Sequence, residues 1–194
     1  MSTLVLPEYM TMRAAVYVGN GHVEVQTVPV PEIGPGELLV RVEACGICHT
    51  DLKKVERDLL PPPRIYGHEM AGVVERAGEG VTRFKPGDRV VVLHHIPCRN
   101  CFYCDRKLYA QCESYKRVGV TAGFAPAGGG FSQYIRVMDW IVPEGVIAMR
   151  TGSECGLDSL VRVLGQRAGH PGAAGARRLL GGIGQVRLLP LRRR

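Results

Sequence analysis

A mainly β domain, built as a barrel or sandwich, is predicted for the first three quarters of this 194-residue chain. Three observations predict it. Apolar residues recur in short runs of β-branched character, the runs are punctuated by Gly, Pro and Asn clusters, and helical periodicity is almost absent before Val146.

The elements follow in order. Met12–Val18 and Val23–Val28 flank Gly19, Asn20 and Gly21, a hairpin signal, and 23-VEVQTV-28 alternates as a half-buried strand should. Glu37–Ala44 (ELLVRVEA) is a strand entered through Gly34-Pro35-Gly36. His49–Leu59 (HTDLKKVERDL) has only a partial apolar stripe, yet it is the best helix available. Ala71–Ala77, Arg89–Leu93 and Phe131–Val137 read as further strands. After Ala148 the chain turns Gly-, Arg-, Leu- and Ala-rich, with no Lys, Phe, Tyr or Trp. Its apolar residues keep neither period, so 148–194 is expected to be a poorly structured or weakly helical tail.

Composition narrows the function. Hydrophobic residues make up 45% of the chain without an 18-residue apolar run, so a soluble protein without a membrane span is expected. Met1–Tyr9 lacks the basic start and apolar core of a secretory signal, which points to a reducing, cytoplasmic setting. The net charge of +7 resides in the tail: residues 1–147 carry 16 basic and 16 acidic side chains, whereas 148–194 carry nine Arg against Glu154 and Asp158. A basic tail with no aromatic residue to stack on bases argues against nucleic acid as a partner.

Two constellations carry chemistry. Cys98, Cys101, Cys104 and Cys112 fall within fifteen residues, spaced C-x2-C-x2-C-x7-C. In a reducing compartment such spacing signals a metal, with zinc first; disulfides and an iron–sulfur cluster are the other readings. Four thiolates around tetrahedral zinc leave no open position, so the site stabilises a loop whose only packing residues are Phe102, Tyr103, Leu108 and Tyr109. Upstream, 45-CGICHTD-51 and 67-GHEMAG-72 supply Cys48, His68 and Glu69, a soft ligand, an imidazole and a carboxylate. Three protein ligands with a fourth position free is the catalytic zinc pattern. Thr50 and His49 follow the cysteine and could pass a proton to solvent, and Asp51 could orient a ligand histidine. Taken singly these residues have duller readings, a cysteine as a small buried hydrophobe and a histidine as a satisfied polar group.

GICHTD, GHEMAGVVERAGEGVTRFKPGDRV, the four-cysteine stretch and GGGFSQYIRV, in this order over about residues 12–147, resemble the zinc-dependent medium-chain alcohol dehydrogenase family. The resemblance implies a GroES-like, partly open β-barrel catalytic domain over 1–147, with a zinc-bound lobe and few short helices. It implies a catalytic zinc on Cys48, His68 and Glu69, a hydroxyl relay at Thr50, and a structural zinc on Cys98, Cys101, Cys104 and Cys112. Cys45 is then an extra, packing cysteine, and His94 and His95 have strand-end or surface roles. The activity implied is NAD- or NADP-linked oxidation of a small-molecule alcohol or polyol to a carbonyl, or the reverse, and a homo-oligomer is compatible with it. The GHE motif and the sequence after the lobe lean towards polyol and threonine dehydrogenases.

The chain departs from that family after Val146. No Rossmann domain is legible: 179-LLGGIGQVR-187 lacks the third glycine, and no acidic residue follows it to hold a ribose. Glu154 and Cys155 stand near the place of a further zinc ligand, but without the family's Glu-Pro context. The expectation is a truncated or frame-shifted dehydrogenase that does not turn over alone; the alternative is a non-catalytic zinc-binding remnant or partner-binding module.

Overall fold

The computed structural model describes residues 11–115, 120–121 and 129–149. The tail from 150 onward, with Glu154, Cys155 and the 179–187 stretch, lies outside the described residues.

Strands β1 (Thr11–Gly19), β2 (His22–Pro29) and β4 (Arg64–Ile65) form one antiparallel sheet in the order β2-β1-β4. Strands β3 (Leu38–Gly46), β5 (Glu69–Ala77), β6 (Arg89–Leu93), β7 (Val120–Thr121), β8 (Tyr134–Val137) and β9 (Val146–Ala148) form a second, ordered β7-β8-β3-β5-β6-β9. An isolated bridge between Ala14 and Ser132, flanked by a hydrogen bond from Ala15 N–H to Phe131 C=O, joins the sheets without closing them. Helices are short: α1 (His49–Glu56), α2 (Phe102–Asp105) and α3 (Val142–Gly145). The expected mainly β, partly open architecture is therefore the one observed. Among the described residues no helix is long and apolar enough to cross a membrane.

Local chemistry explains the elements. Gly19, Asn20 and Gly21 all take left-handed φ values, 102°, 51° and 73°, which turns β1 into β2. The core is made by inward residues of both sheets, among them Val16, Leu38, Val40, Val42, Ile65, Met70, Val74, Val90 and Ile135. In β3 the inward parity Leu38, Val40, Val42 passes to Cys45 because the ladder slips between Val42 and Ala44, leaving Glu43 unpaired. The bulge is what sets the far end of β3 opposite the start of β5. Helix α1 ends where Asp58, at φ 48°, accepts hydrogen bonds from Asn20 N–H at 2.8 Å and from the Tyr17 hydroxyl, which ties it to the hairpin.

Several expectations are corrected. β2 is not half-buried: as an edge strand with one neighbour it buries only Val28, and Val25 is 42% exposed. The run at Phe131 enters regular pairing only at Tyr134, because residues 131–133 cross between the sheets. The helix begins at His49 but stops at Glu56 rather than Leu59. β9 carries the sheet to Ala148, which pairs with Val90, one residue beyond the expected end of the domain.

An ion pair with a buried carboxylate ties the residue before β3 to β8. Glu37, 7% exposed, accepts from Arg136 Nε at 2.8 Å and Nη2 at 2.7 Å, and from Gly34 N–H at 2.6 Å. Burial alone would raise the Glu37 carboxyl, but the Arg136 hydrogen bonds and charge, with the Gly34 amide, hold it below the usual carboxylate range. A depressed native pKa gives stability that is present above the unfolded value of 4.5 and is lost as pH falls through the native one. Glu37→Gln is therefore expected to cost about 2 kcal/mol at pH 7 by urea unfolding, with the gap to wild type closing below pH 4.

Candidate metal centres

The four-cysteine lobe lies between β6 and β7. Cys98 Sγ is 3.5 Å from Cys112 Sγ and 4.0 Å from Cys104 Sγ, and all four sulfurs lie within 4.8 Å of one another. A disulfide needs about 2.05 Å. Sulfurs about 2.3 Å from a tetrahedral zinc stand about 3.8 Å apart, so the set fits the ion and not a crosslink. Backbone amides serve the sulfurs: Cys98 N–H donates to Cys112 Sγ at 3.3 Å, and amides of Cys104 and Glu113 lower the Cys101 thiol to about 6. Arg99 and Lys107 take left-handed φ values of 60° and 59°, wrapping the loop around the sulfurs.

Phe102, Tyr103, Leu108 and Tyr109, the residues that could pack the lobe, stay largely exposed. They are 60%, 36%, 51% and 39% exposed, and the only buried residues from Cys98 to Cys112 are Cys104 and Cys112. Arg106 covers the Phe102 ring at 3.7 Å, and Arg99 donates to Glu144 at 2.6 Å, fastening the lobe to α3. With so little apolar burial, the sulfur cluster is the lobe's core.

The second donor set forms where α1 meets β5. Cys48 is the N-cap of α1, in extended conformation, and His68 and Glu69 stand at the entry to β5. Cys48 Sγ, an imidazole nitrogen of His68 and a Glu69 carboxylate oxygen lie within 4.8 Å of one another. Asp51, 2% exposed, organises them: Oδ2 accepts Cys48 N–H at 3.0 Å, while Oδ1 accepts Gly67 N–H at 3.3 Å and faces His68 Nδ1 at 3.2 Å. That contact turns His68 Nε2 towards Cys48, the arrangement by which a carboxylate orients a metal-binding imidazole. Thr50 Oγ1 donates to Cys48 Sγ at 2.8 Å and is 3.3 Å from His68 Nε2; it is exposed, as is His49. Cys45 is buried in the core, with its thiol pushed well up by burial and by Asp51, as suits a packing residue.

The electrostatics fit a cation. Burial opposes charging of His68, but the Asp51 hydrogen bond and charge, and the Cys48 thiol, raise its imidazole to about 9. Burial and the Asp51 charge push the Glu69 carboxyl up, against the pull of His68. Two carboxylates, a thiol and an imidazole are thus gathered in one place, a donor set that suits a divalent ion with soft and borderline ligands.

His94, expected at a strand end or the surface, stands at the strand end: it is half-buried just beyond β6, its ring centroid 4.9 Å from that of His68, and His95 is 4.0 Å further along the same row. Burial, then the charges of His95, His68 and Lys54, drive His94 down to about 3, so a neutral ring lies against His68. The strand-end position was legible; the cross-strand stacking, which depends on β5 pairing with β6, was not.

A mainly β domain that carries a four-thiol cluster and a separate Cys–His–Glu cluster is consistent with the catalytic domain of a zinc-type dehydrogenase. The Alcohol dehydrogenase GroES-like domain family matches residues 34–147, and the chain belongs to the zinc-dependent medium-chain alcohol dehydrogenases through this N-terminal domain. An alcohol dehydrogenase of Moraxella sp. (strain TAE123) is 38% identical over 143 residues, 70% of this chain and 41% of that protein. D-altritol 5-dehydrogenase of Agrobacterium fabrum is 38% identical over 125 residues, 63% of this chain and 36% of that protein. A zinc-binding dehydrogenase of Sinorhizobium meliloti 1021, solved bound to NADP, superposes with a TM-score of 0.59 at 32% identity, covering 72% of this chain and 39% of that one. The chain thus spans about two fifths of the length of these relatives.

Zinc analysis with melting separates the two sets. Wild type is expected to hold two zincs. Cys98→Ala should lose one of them and on the order of 4 kcal/mol or more of stability, Cys48→Ala the other and about 1 kcal/mol. Equal destabilisation by both contradicts the division.

Proposed function

We propose that residues 1–147 are the substrate-holding domain of a dehydrogenase that interconverts a small alcohol or polyol and its carbonyl, with NAD or NADP as the redox partner. The observation that carries this reading is the convergence of Cys48, His68 and Glu69 within 4.8 Å, beside a hydroxyl at Thr50. In this reading the three side chains hold the catalytic zinc, and Cys98, Cys101, Cys104 and Cys112 hold the structural one. The catalytic zinc, when bound, supplies Lewis acidity towards the substrate oxygen.

The chain's own residues do the remaining work. Asp51 keeps Nδ1 of His68 engaged, which leaves Nε2 as the nitrogen that would hold the ion. Thr50 Oγ1, within hydrogen-bond reach of Cys48 Sγ and His68 Nε2, accepts the proton that the alcohol gives up as it releases its own, and the exposed neighbour His49 passes that released proton to water. NADP as the redox partner draws on the longer zinc-binding dehydrogenase of Sinorhizobium meliloti 1021, which was solved bound to it. The polyol reading draws on relatives such as D-altritol 5-dehydrogenase.

The test uses the full chain with zinc in the four-thiol set and cobalt in the other. Adding an alcohol, a polyol or an aldehyde should alter the visible cobalt spectrum of wild type, and Cys48→Ala should remove both the cobalt and the response. A cobalt spectrum indifferent to every such compound contradicts an open substrate position.

A further inference from the structure

The last residue of β3 and the first of β5, Gly46 and Glu69, are partners in the ladder. A Cβ built on Gly46 would lie 2.3 Å from Glu69 Oε2, 3.1 Å from its Cβ and 3.3 Å from its Cδ. These separations lie inside the 3.5–4.0 Å typical of unstrained carbon contacts. The Glu69 carboxylate thus occupies the space that any other residue at 46 would fill. Backbone conformation gives no reason for this glycine, since Gly46 is absent from the positive-φ residues.

Gly72, in the same ladder, makes a useful contrast. A Cβ there would lie 2.1 Å from the Arg41 carbonyl oxygen, so the obstacle is the neighbouring strand itself. At Gly46 the closest obstacle is the end of a flexible side chain, which can rotate away. Rotation would carry the carboxylate out of the cluster it shares with Cys48 and His68.

We propose that Gly46 is a positioning residue, whose missing side chain is the slot that lets the Glu69 carboxylate lie against β3 and reach the Cys48–His68 donors. The inference rests on the reading of Glu69 as a metal ligand. It makes the third donor a property of two strands: β5 supplies the carboxylate and β3 the room for it. A side chain at 46 leaves a sound sheet with a two-donor site.

Cobalt titration of the full chain, with zinc held in the four-cysteine set, tests this. Gly46→Ala should keep its far-ultraviolet circular dichroism and its zinc, while binding cobalt about 10- to 100-fold more weakly. Glu69→Ala should also bind weakly, and Gly46→Ala/Glu69→Ala no more weakly than Glu69→Ala alone, because no carboxylate remains to be displaced. Wild-type affinity in Gly46→Ala overturns the proposal, and so does the same loss recurring in the Glu69→Ala background. Should Gly46→Ala fail to fold, recovery of the fold in the double variant supports the collision, and failure of both overturns it. Wild-type affinity in Glu69→Ala removes the ligand reading and the inference with it. Weak binding by Glu69→Ala beside wild-type affinity in Gly46→Ala removes the inference alone.

Discussion

The antiparallel ladder between β3 and β5 is the constraint on which the rest depends. It runs from Leu38 opposite Ala77 to Gly46 opposite Glu69, with slips between Leu39 and Val40 and between Val42 and Ala44. Strand pairing has period two, so a one-residue error would move every later side chain to the other face. The slip at Glu43 uses that rule. It leaves Leu38, Val40 and Val42 in the core, adds Cys45 to them, and ends the strand where the chain can turn into α1 with Cys48 at its cap. His68 and Glu69 are carried to the same place by β5. The donor set is thus a by-product of sheet register, held by main-chain hydrogen bonds rather than by a mobile loop.

Asp51 converts that proximity into orientation. Its two oxygens engage Cys48 N–H, Gly67 N–H and His68 Nδ1, joining the helix cap to the strand entry through one buried carboxylate. A buried carboxylate is costly to leave without its hydrogen-bond partners, which keeps the His68 ring in one pose. The lobe is organised on the opposite principle. It has almost no buried side chain besides two of its cysteines, so its stability has to come from what the sulfurs bind. One set is positioned by the fold, and the other positions its own loop.

Legibility in the sequence followed the range of the interactions. The four cysteines lie within fifteen residues, and their spacing announces a metal without any knowledge of strand pairing. The strands at Arg89–Leu93 and Ala71–Ala77 were legible because β-branched residues run together there. The alternation in β2 misled, because alternation reports a strand but not whether a second layer covers it, and β2 lies at an edge. The two-residue strands β4 and β7 are too short to carry a pattern. The grouping of Cys48 with His68 and Glu69 came from the motif pair, whereas the contacts of His94 with His68 and of Gly46 with Glu69 depend on cross-strand register that no local pattern encodes. Glu37 looked like the polar start of a strand; only the return of β8 beside β3 brings Arg136 to it and makes burial affordable.

One register builds a three-donor centre while a separate loop builds a four-thiol one. Anomalous diffraction at the zinc edge from crystals of the zinc-loaded chain tests it most directly. Two peaks per chain are expected, one among the sulfurs of Cys98, Cys101, Cys104 and Cys112, the other between Cys48 Sγ, His68 Nε2 and the Glu69 carboxylate. A single peak, or a second peak in which Cys45 or His94 replaces Glu69, would contradict it.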